Sequence, residues 1–388
     1  MTFIKNISVS TAIGSSLLFI TSAHAVNIGN FNNTSVSIGG YVKMDAMASS
    51  YSDGTLSAGD LGRDFYIPSL TPVGGSEENT TFDMHARQSR FNIATESEVD
   101  SHTLKTLFEF DFLATPNGNE RVTNSYTPRM RRALISYDNW VFGQTWSTFQ
   151  NTGALPETAD FIGNTDFGIF IRQAQIRYTQ GNFQFAIENP ESTVTPNGGG
   201  TRIVTDDNEL PDFVIRHNLK NGDLNLVTAI LARQLAYNDG AGIDSTTSSY
   251  GLSISGKLML GADDIRFGIN TGSGLGRYIG INVANGAVID ANGELEAIDS
   301  TAYYLAYRHI WNNKWRSNLT YSAISIDNDI TLTGTAVTES TSSVRANLFY
   351  TVSNNFSVGG EFAHATREIE SGADGDMDRL QFTAKLSF

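Results

Sequence analysis

The residues of this chain best suited to chemistry are its arginines. There are 19, against seven lysines, and most lie in stretches where polar and apolar residues alternate. Counting by twos puts Arg90, Arg132, Arg177, Arg216, Arg345 and Arg379 on one face of those stretches. Arg266, Arg308, Arg316, Arg367, Lys43, Lys105, Lys257 and Lys385 share that phase. A guanidinium keeps its charge when confined and grips carboxylates through a two-pronged fork. A row of them facing water concentrates anions without any covalent step. The same phase carries Asp45, Glu96, Glu109, Asp111, Glu188, Asp212 and Glu361. Each arginine therefore has a second possible role, pairing with a wall carboxylate and stiffening the structure. The excess of cations over these carboxylates favours a basic interior, although the net charge is −15. Further acidic residues sit in the connections, at Asp60 and Asp64, Glu77-Glu78, Asp206-Asp207, and Asp374 and Asp376.

Catalytic and cofactor motifs fail on inspection. Gly272-Ser273-Gly274-Leu275-Gly276 has the glycines of a phosphate loop, but an amphipathic strand precedes it and no helix follows. Asp374, Asp376 and Asp378 begin like a calcium loop, yet position twelve of that frame is Lys385 rather than Glu. The six histidines include no HExxH pair, and no Gly-x-Ser-x-Gly elbow occurs. His309 and His364 share a phase without a serine neighbour. Cysteine is absent. The expectation is no enzyme, no metal, no cofactor and no nucleic-acid partner.

The elements that would position the arginines are strands. Alternation and turn chemistry give sixteen: 36–48, 84–97, 102–113, 129–138, 139–146, 168–179, 182–189, 212–219, 222–235, 248–258, 263–272, 299–312, 314–327, 338–353, 354–368 and 377–388. Short turns such as Asp138-Asn139, Gln180-Gly181 and Asn312-Asn313 alternate with long connections at 49–83, 114–128, 147–167, 190–211, 236–247, 273–298, 328–337 and 369–376. That segregation predicts an all-β, antiparallel transmembrane barrel with short periplasmic turns and long extracellular loops. Trp140, Trp146, Tyr178, Trp311, Trp315 and Tyr350 lie near strand ends, where interface aromatics belong. The apolar content of 147–167 and of Phe167–Phe170 marks a loop that folds inward and narrows the channel.

Both ends agree with export to an outer membrane. Lys5, the stretch Ile7–Ile20 and Ala23-His24-Ala25 read as a signal peptide over 1–25. Residues 26–35 follow as a short periplasmic segment, and 36–388 as the barrel. The last nine residues alternate and end on Phe388; Phe382, Leu386 and Phe388 are read as the signal for the outer-membrane assembly machinery. No stretch after the signal is long and apolar enough for a spanning helix, which leaves strands, because those hide their hydrophobicity by alternation.

Six stretches carry a family resemblance: 143–149 (Gly-Gln-Thr-Trp-Ser-Thr-Phe), 172–178 (Arg-Gln-Ala-Gln-Ile-Arg-Tyr), 187–192 (Ile-Glu-Asn-Pro-Glu-Ser), 210–213 (Leu-Pro-Asp-Phe), 274–279 (Gly-Leu-Gly-Arg-Tyr-Ile) and 359–362 (Gly-Gly-Glu-Phe). Together they resemble the DcaP-like porin family. The resemblance implies a homotrimer of sixteen-stranded outer-membrane barrels and passive uptake of small, negatively charged organic solutes. It adds weight to Arg177 and brings in Arg277, which lies at a loop edge. The other partners expected are membrane lipid and lipopolysaccharide. Two other functions stay open from sequence: a sugar channel using Tyr41, Tyr304 and Phe349, and a non-conducting structural or adhesive barrel.

Overall fold

The computed structural model describes residues 25–76, 79–115 and 122–388. The expected signal peptide, up to His24, and Glu77-Glu78 lie outside the described residues. The barrel strands are β1 (Thr34–Tyr51), β2 (Asn79–His85 continued by Arg90–Val99), β3 (His102–Asp111), β4 (Arg129–Tyr137), β5 (Trp140–Trp146), β6 (Arg172–Gln180), β7 (Phe183–Glu188), β8 (Asp212–Asn221), β9 (Leu224–Asn238), β10 (Asp244–Leu260), β11 (Asp263–Ser273), β12 (Asp299–Ile310), β13 (Trp315–Asp327), β14 (Thr338–Ser353), β15 (Phe356–Ile369) and β16 (Asp374–Ser387). Each pairs antiparallel with the next, and β16 pairs with β1 from Tyr41↔Ser387 to Tyr51↔Met377. Closure leaves no open edge among the sixteen.

Alternation decides which side chain goes where. On β14, Val344 and Leu348 stand exposed at 38% and 45%, whereas Arg345 between them is 1% exposed. The outer face is an apolar belt that includes Phe82, Ile93, Phe108, Phe185, Leu305, Phe362, Leu380, Phe382 and Leu386, all exposed. Trp140, Trp311 and Trp315 are exposed at the strand ends. Trp146 departs from that set. It packs 5.0 Å from the loop ring of Phe170, under the Arg172 guanidinium at 4.7 Å, because the chain turns inward directly after it.

Three local devices escape a count by twos. A bulge opposite Glu109 inserts one extra residue in β4, so Arg131 and Arg132 both reach Glu109. The β2 strand breaks at 86–89, and Ser89 there accepts the Lys43 N–H at 3.1 Å. Val26–Phe31 forms a further strand, a hairpin with the start of β1 closed by Asn32-Asn33. Both asparagines have positive φ (47° and 63°), the pattern of a two-residue hairpin turn. Just above it, Gly40 lets β1 and β2 approach closely: a Cβ there would sit 2.1 Å from the Arg90 carbonyl.

At the long-loop end the strands run on beyond the expected bounds. The connections after β9 and β15 shrink to 239–243 and 370–373, since the Ser/Thr-rich start of β10 and the acidic start of β16 remain paired without an apolar face. Loops 189–211 and 274–298 also join. Ser192–Thr195 pairs with Ile203–Thr205 antiparallel and with Ala287–Ile289 in parallel, and Ala287–Ile289 pairs with Leu295–Ala297. Val194, Leu235, Ala287, Ile289 and Leu295 form the core of this small sheet.

Candidate functional site

Inside the barrel, loop 147–171 is laid against the wall rather than projecting from it. An irregular segment leaves backbone groups unpaired, and the inward side chains satisfy them. Glu188 on β7 accepts the Thr148 N–H at 2.7 Å, and Arg216 on β8 donates to the Gln150 carbonyl at 2.6 Å. Asn151 reaches the Ser255 hydroxyl on β10 at 3.0 Å. Arg266 on β11 and Tyr304 on β12 donate to the Leu155 and Ala154 carbonyls. Arg316 on β13 holds the Glu157 carboxylate through Nε and Nη2 at 2.6–3.0 Å. Glu361 on β15 accepts the Ala159 and Asp160 N–H groups at 2.9 and 3.2 Å. Lys43 on β1 and Gln381 on β16 both donate to the Ala159 carbonyl.

The far end of the loop is fixed through one carboxylate. Asp166, fully buried, accepts hydroxyls from Tyr66 at 2.8 Å, Ser322 at 2.6 Å, Thr341 at 2.7 Å and Ser343 at 2.5 Å. A hydrogen bond to a charged acceptor contributes about 1.5–3 kcal/mol, so this cluster outweighs any surface ion pair. Tyr66 belongs to loop 52–78, which is thereby locked to loop 147–171. Arg367 strengthens the lock by donating to the Ser69 and Thr71 carbonyls. Burial pushes the Tyr66 phenol well above its ordinary range, and the Asp166 carboxylate adds to the shift, so Tyr66 remains a donor. Burial also raises the Asp160 carboxyl, but Arg345, Arg379 and the N–H groups of Tyr66 and Ile162 outweigh it and hold Asp160 below the usual carboxylate range.

A third inward element is the turn at Gly276–Tyr278. The Tyr278 hydroxyl donates to Asp212 at 2.9 Å and accepts from Gln173 at 2.7 Å. Its phenol too is pushed well up, by burial and then by Glu188 and Asp212.

The structure sorts the seven arginines into two groups. Arg132 is paired with Glu109 at 2.7 Å. Arg345 and Arg379 are 1% exposed and flank Asp160 at 4.0 and 3.9 Å, with Tyr66 stacked 5.0 Å over Arg345. Arg379 also donates to Ser49 at 2.8 Å and to the Gly62 carbonyl at 2.6 Å. Arg277 lies 3.4 Å from Asp212 and donates to the Asn189 carbonyl at 2.6 Å. These four hold structure together, and Arg216 shares that duty through the Gln150 carbonyl. Arg90, Arg177 and Arg216 are half-buried and have no carboxylate within 4.0 Å among the described residues; Lys385 joins them. Counting by twos missed Arg131, buried between Glu109 and Asp111, and Arg233, paired with Asp212 at 3.2 Å. It also missed Arg172, stacked on Trp146 and Phe170. The signal for Arg131 was its neighbour: adjacent arginines in one strand would send one into lipid, at about 2–4 kcal/mol, unless a bulge intervenes.

The inward carboxylates are occupied, in contrast. Asp45, Glu109, Asp111, Asp212, Asp264 and Glu361 each have a cation within 4.0 Å. Glu188 and Asp166 are buried among hydrogen-bond donors. The accessible charge left over is positive. At the short-turn end a cavity of about 440 Å³ opens between the wall and loop 147–171, with Arg90, Lys385, Tyr41 and Phe349 in its lining. Among the described residues no group of His, Asp and Glu is placed to hold a metal ion.

Of the terminal residues, Phe382 and Leu386 project into the outer belt, and Phe388 lies 5.6 Å from Phe91 while exchanging two backbone hydrogen bonds with Gly40.

Comparison with known proteins places this arrangement. The sequence profile of the DcaP outer membrane protein family matches residues 32–388. No curated protein matches the chain in sequence. Among solved structures, the outer membrane channel DcaP of Acinetobacter baumannii superposes with a TM-score of 0.76 at 19% identity, covering 94% of this chain and 100% of that one. An anion-selective porin from Comamonas acidovorans gives 0.58 at 11% identity, covering 92% and 100%. The trimer form of OmpT from Vibrio cholerae gives 0.54 at 11% identity, again over 92% and 100%. At these identities the solved structures speak for the fold.

Proposed function

The chain belongs to the DcaP outer membrane protein family, and from that membership we propose that it is a diffusion porin preferring small anionic organic solutes, carboxylates among them. The family and its structural neighbours are channels rather than enzymes. One observation carries the anionic preference: the inward carboxylates are neutralised or enclosed, while Arg90, Arg177, Arg216 and Lys385 stay half-open with no carboxylate within 4.0 Å among the described residues. Unpaired cations in a narrow, low-dielectric passage focus positive potential and raise the local anion concentration. Loop 147–171 is the constriction in this reading, and flux runs down a gradient with no cofactor. The sugar-channel alternative loses its aromatic track, because Tyr304 and Phe349 are buried and Tyr304 spends its hydroxyl on Ala154.

The rest of the assignment follows the same reading. Residues 1–25 are a cleaved export signal, and the terminal strand with Phe382, Leu386 and Phe388 is handed to the assembly machinery. The working unit is a homotrimer in lipid and lipopolysaccharide, a proposal supported by the trimeric OmpT neighbour. The test is the reversal potential of single channels in a planar bilayer under a KCl gradient. Anion preference is expected; cation preference, or conductance near zero, overturns the proposal and favours a plugged structural barrel.

A further inference from the structure

The short-turn cavity combines features that a plain passage does not need. Its volume of about 440 Å³ lies within the range of small-molecule sites. Two cations share one ring there: the Arg90 guanidinium is 5.2 Å from the Tyr41 centroid and the Lys385 ammonium 4.2 Å. Neither has a carboxylate within 4.0 Å among the described residues, and the buried Arg90 Nε has no hydrogen-bond partner. The carboxylates in the same lining are engaged elsewhere: Glu157 by Arg316, and Asp160 by the Tyr66 N–H and the Arg345 and Arg379 pair. Half-buried Phe161 supplies apolar wall to the same cavity.

We propose that this cavity is a binding subsite for an organic anion, with Arg90 and Lys385 holding its oxyanion head and Phe161 covering an apolar body. The subsite lies on the short-turn side of loop 147–171, so it is loaded from that face of the barrel. It rests on the porin reading only for its role in transport; the binding itself does not. Carboxylate and phosphate heads present the same oxygens to Arg90, and the probes separate them.

The test is calorimetry on the full-length barrel in non-ionic detergent, titrated with hexanoate, hexyl phosphate and hexanamide. Hexanoate or hexyl phosphate should bind at least tenfold more tightly than hexanamide, and the stronger of the two identifies the head group. The double variant Arg90→Gln/Lys385→Gln should lose that advantage, while Tyr41→Phe, which keeps the ring, retains it. The heat-modifiable gel shift of a closed barrel checks that each variant folds. Equal binding of hexanoate and hexanamide, or an unaffected double variant, overturns the proposal. In bilayers hexanoate should block when added on the short-turn side and much less from the other; symmetric block also overturns it. A barrel that binds but never conducts leaves the subsite standing and removes the porin reading; one that conducts anions without binding does the reverse.

Discussion

At the scale of single residues, Arg90 and Arg345 have the same chemistry and the same strand phase but opposite duties. Arg345 is enclosed by Tyr66, Asp160 and Glu361, and Arg90 borders the cavity with no carboxylate within 4.0 Å among the described residues. Removing one member of a buried charge cluster leaves its carboxylates uncompensated, at about 3–5 kcal/mol. Arg345→Ala should therefore lower the unfolding midpoint of the detergent-solubilised barrel sharply, whereas Arg90→Ala should leave stability within about 1 kcal/mol and move the reversal potential toward zero. A stable Arg345→Ala barrel would show that the cluster is not a structural clamp. The inward phase of both arginines was legible from alternation alone. Their different partners were not, because Asp160 and Tyr66 come from loops whose paths no local pattern specifies. Arg131 was lost to the bulge, where one extra residue reverses the count.

At the scale of elements, strands and loops differ in how far their sequences announce them. The sixteen strands were readable because one face must meet lipid and the other water, and a slip of one residue would exchange them. The 86–89 break in β2, the Val26–Phe31 hairpin and the small sheet above the barrel were not. The small sheet is built by a parallel pairing between segments about a hundred residues apart, with strands of three or four residues. Loop 147–171 announced its inward path only by excess apolar content, and Phe149, Phe167 and Ile169 do pack among wall residues such as Leu231 and Tyr304; its polar anchors carried no local signal. Asp166→Ala should delete the four-hydroxyl clasp at once, releasing the far end of the loop from Ser322, Thr341, Ser343 and Tyr66. Single channels of this variant should show larger and noisier conductance than wild type, with the closed-barrel gel shift intact. Unaltered current would mean that the wall contacts from Arg216 to Lys43 suffice to hold the loop.

At the scale of the whole molecule, the sign of the net charge does not dictate the sign of the proposed passage. The chain carries −15, yet its inward carboxylates are paired with cations or enclosed by hydrogen-bond donors, and exposed acidic residues gather in the connections, turns and strand ends. Closure makes this possible, because a barrel separates an enclosed surface from an outer one, and alternation loads them independently. Selectivity in the proposed porin then rests on a few half-open cations rather than on overall charge, which has a consequence for salt. The screening length is about 10 Å at 0.1 M and about 3 Å at 1 M. Anion preference should be strongest in dilute gradients and fall steeply as both compartments approach molar salt. A pore whose selectivity came from a tight steric fit would hold its preference across that range. Reversal potentials measured at a fixed tenfold gradient, from 0.01/0.1 M to 0.3/3 M KCl, distinguish the two (roughly the span over which screening collapses), and a flat series would remove electrostatics from the account of selectivity.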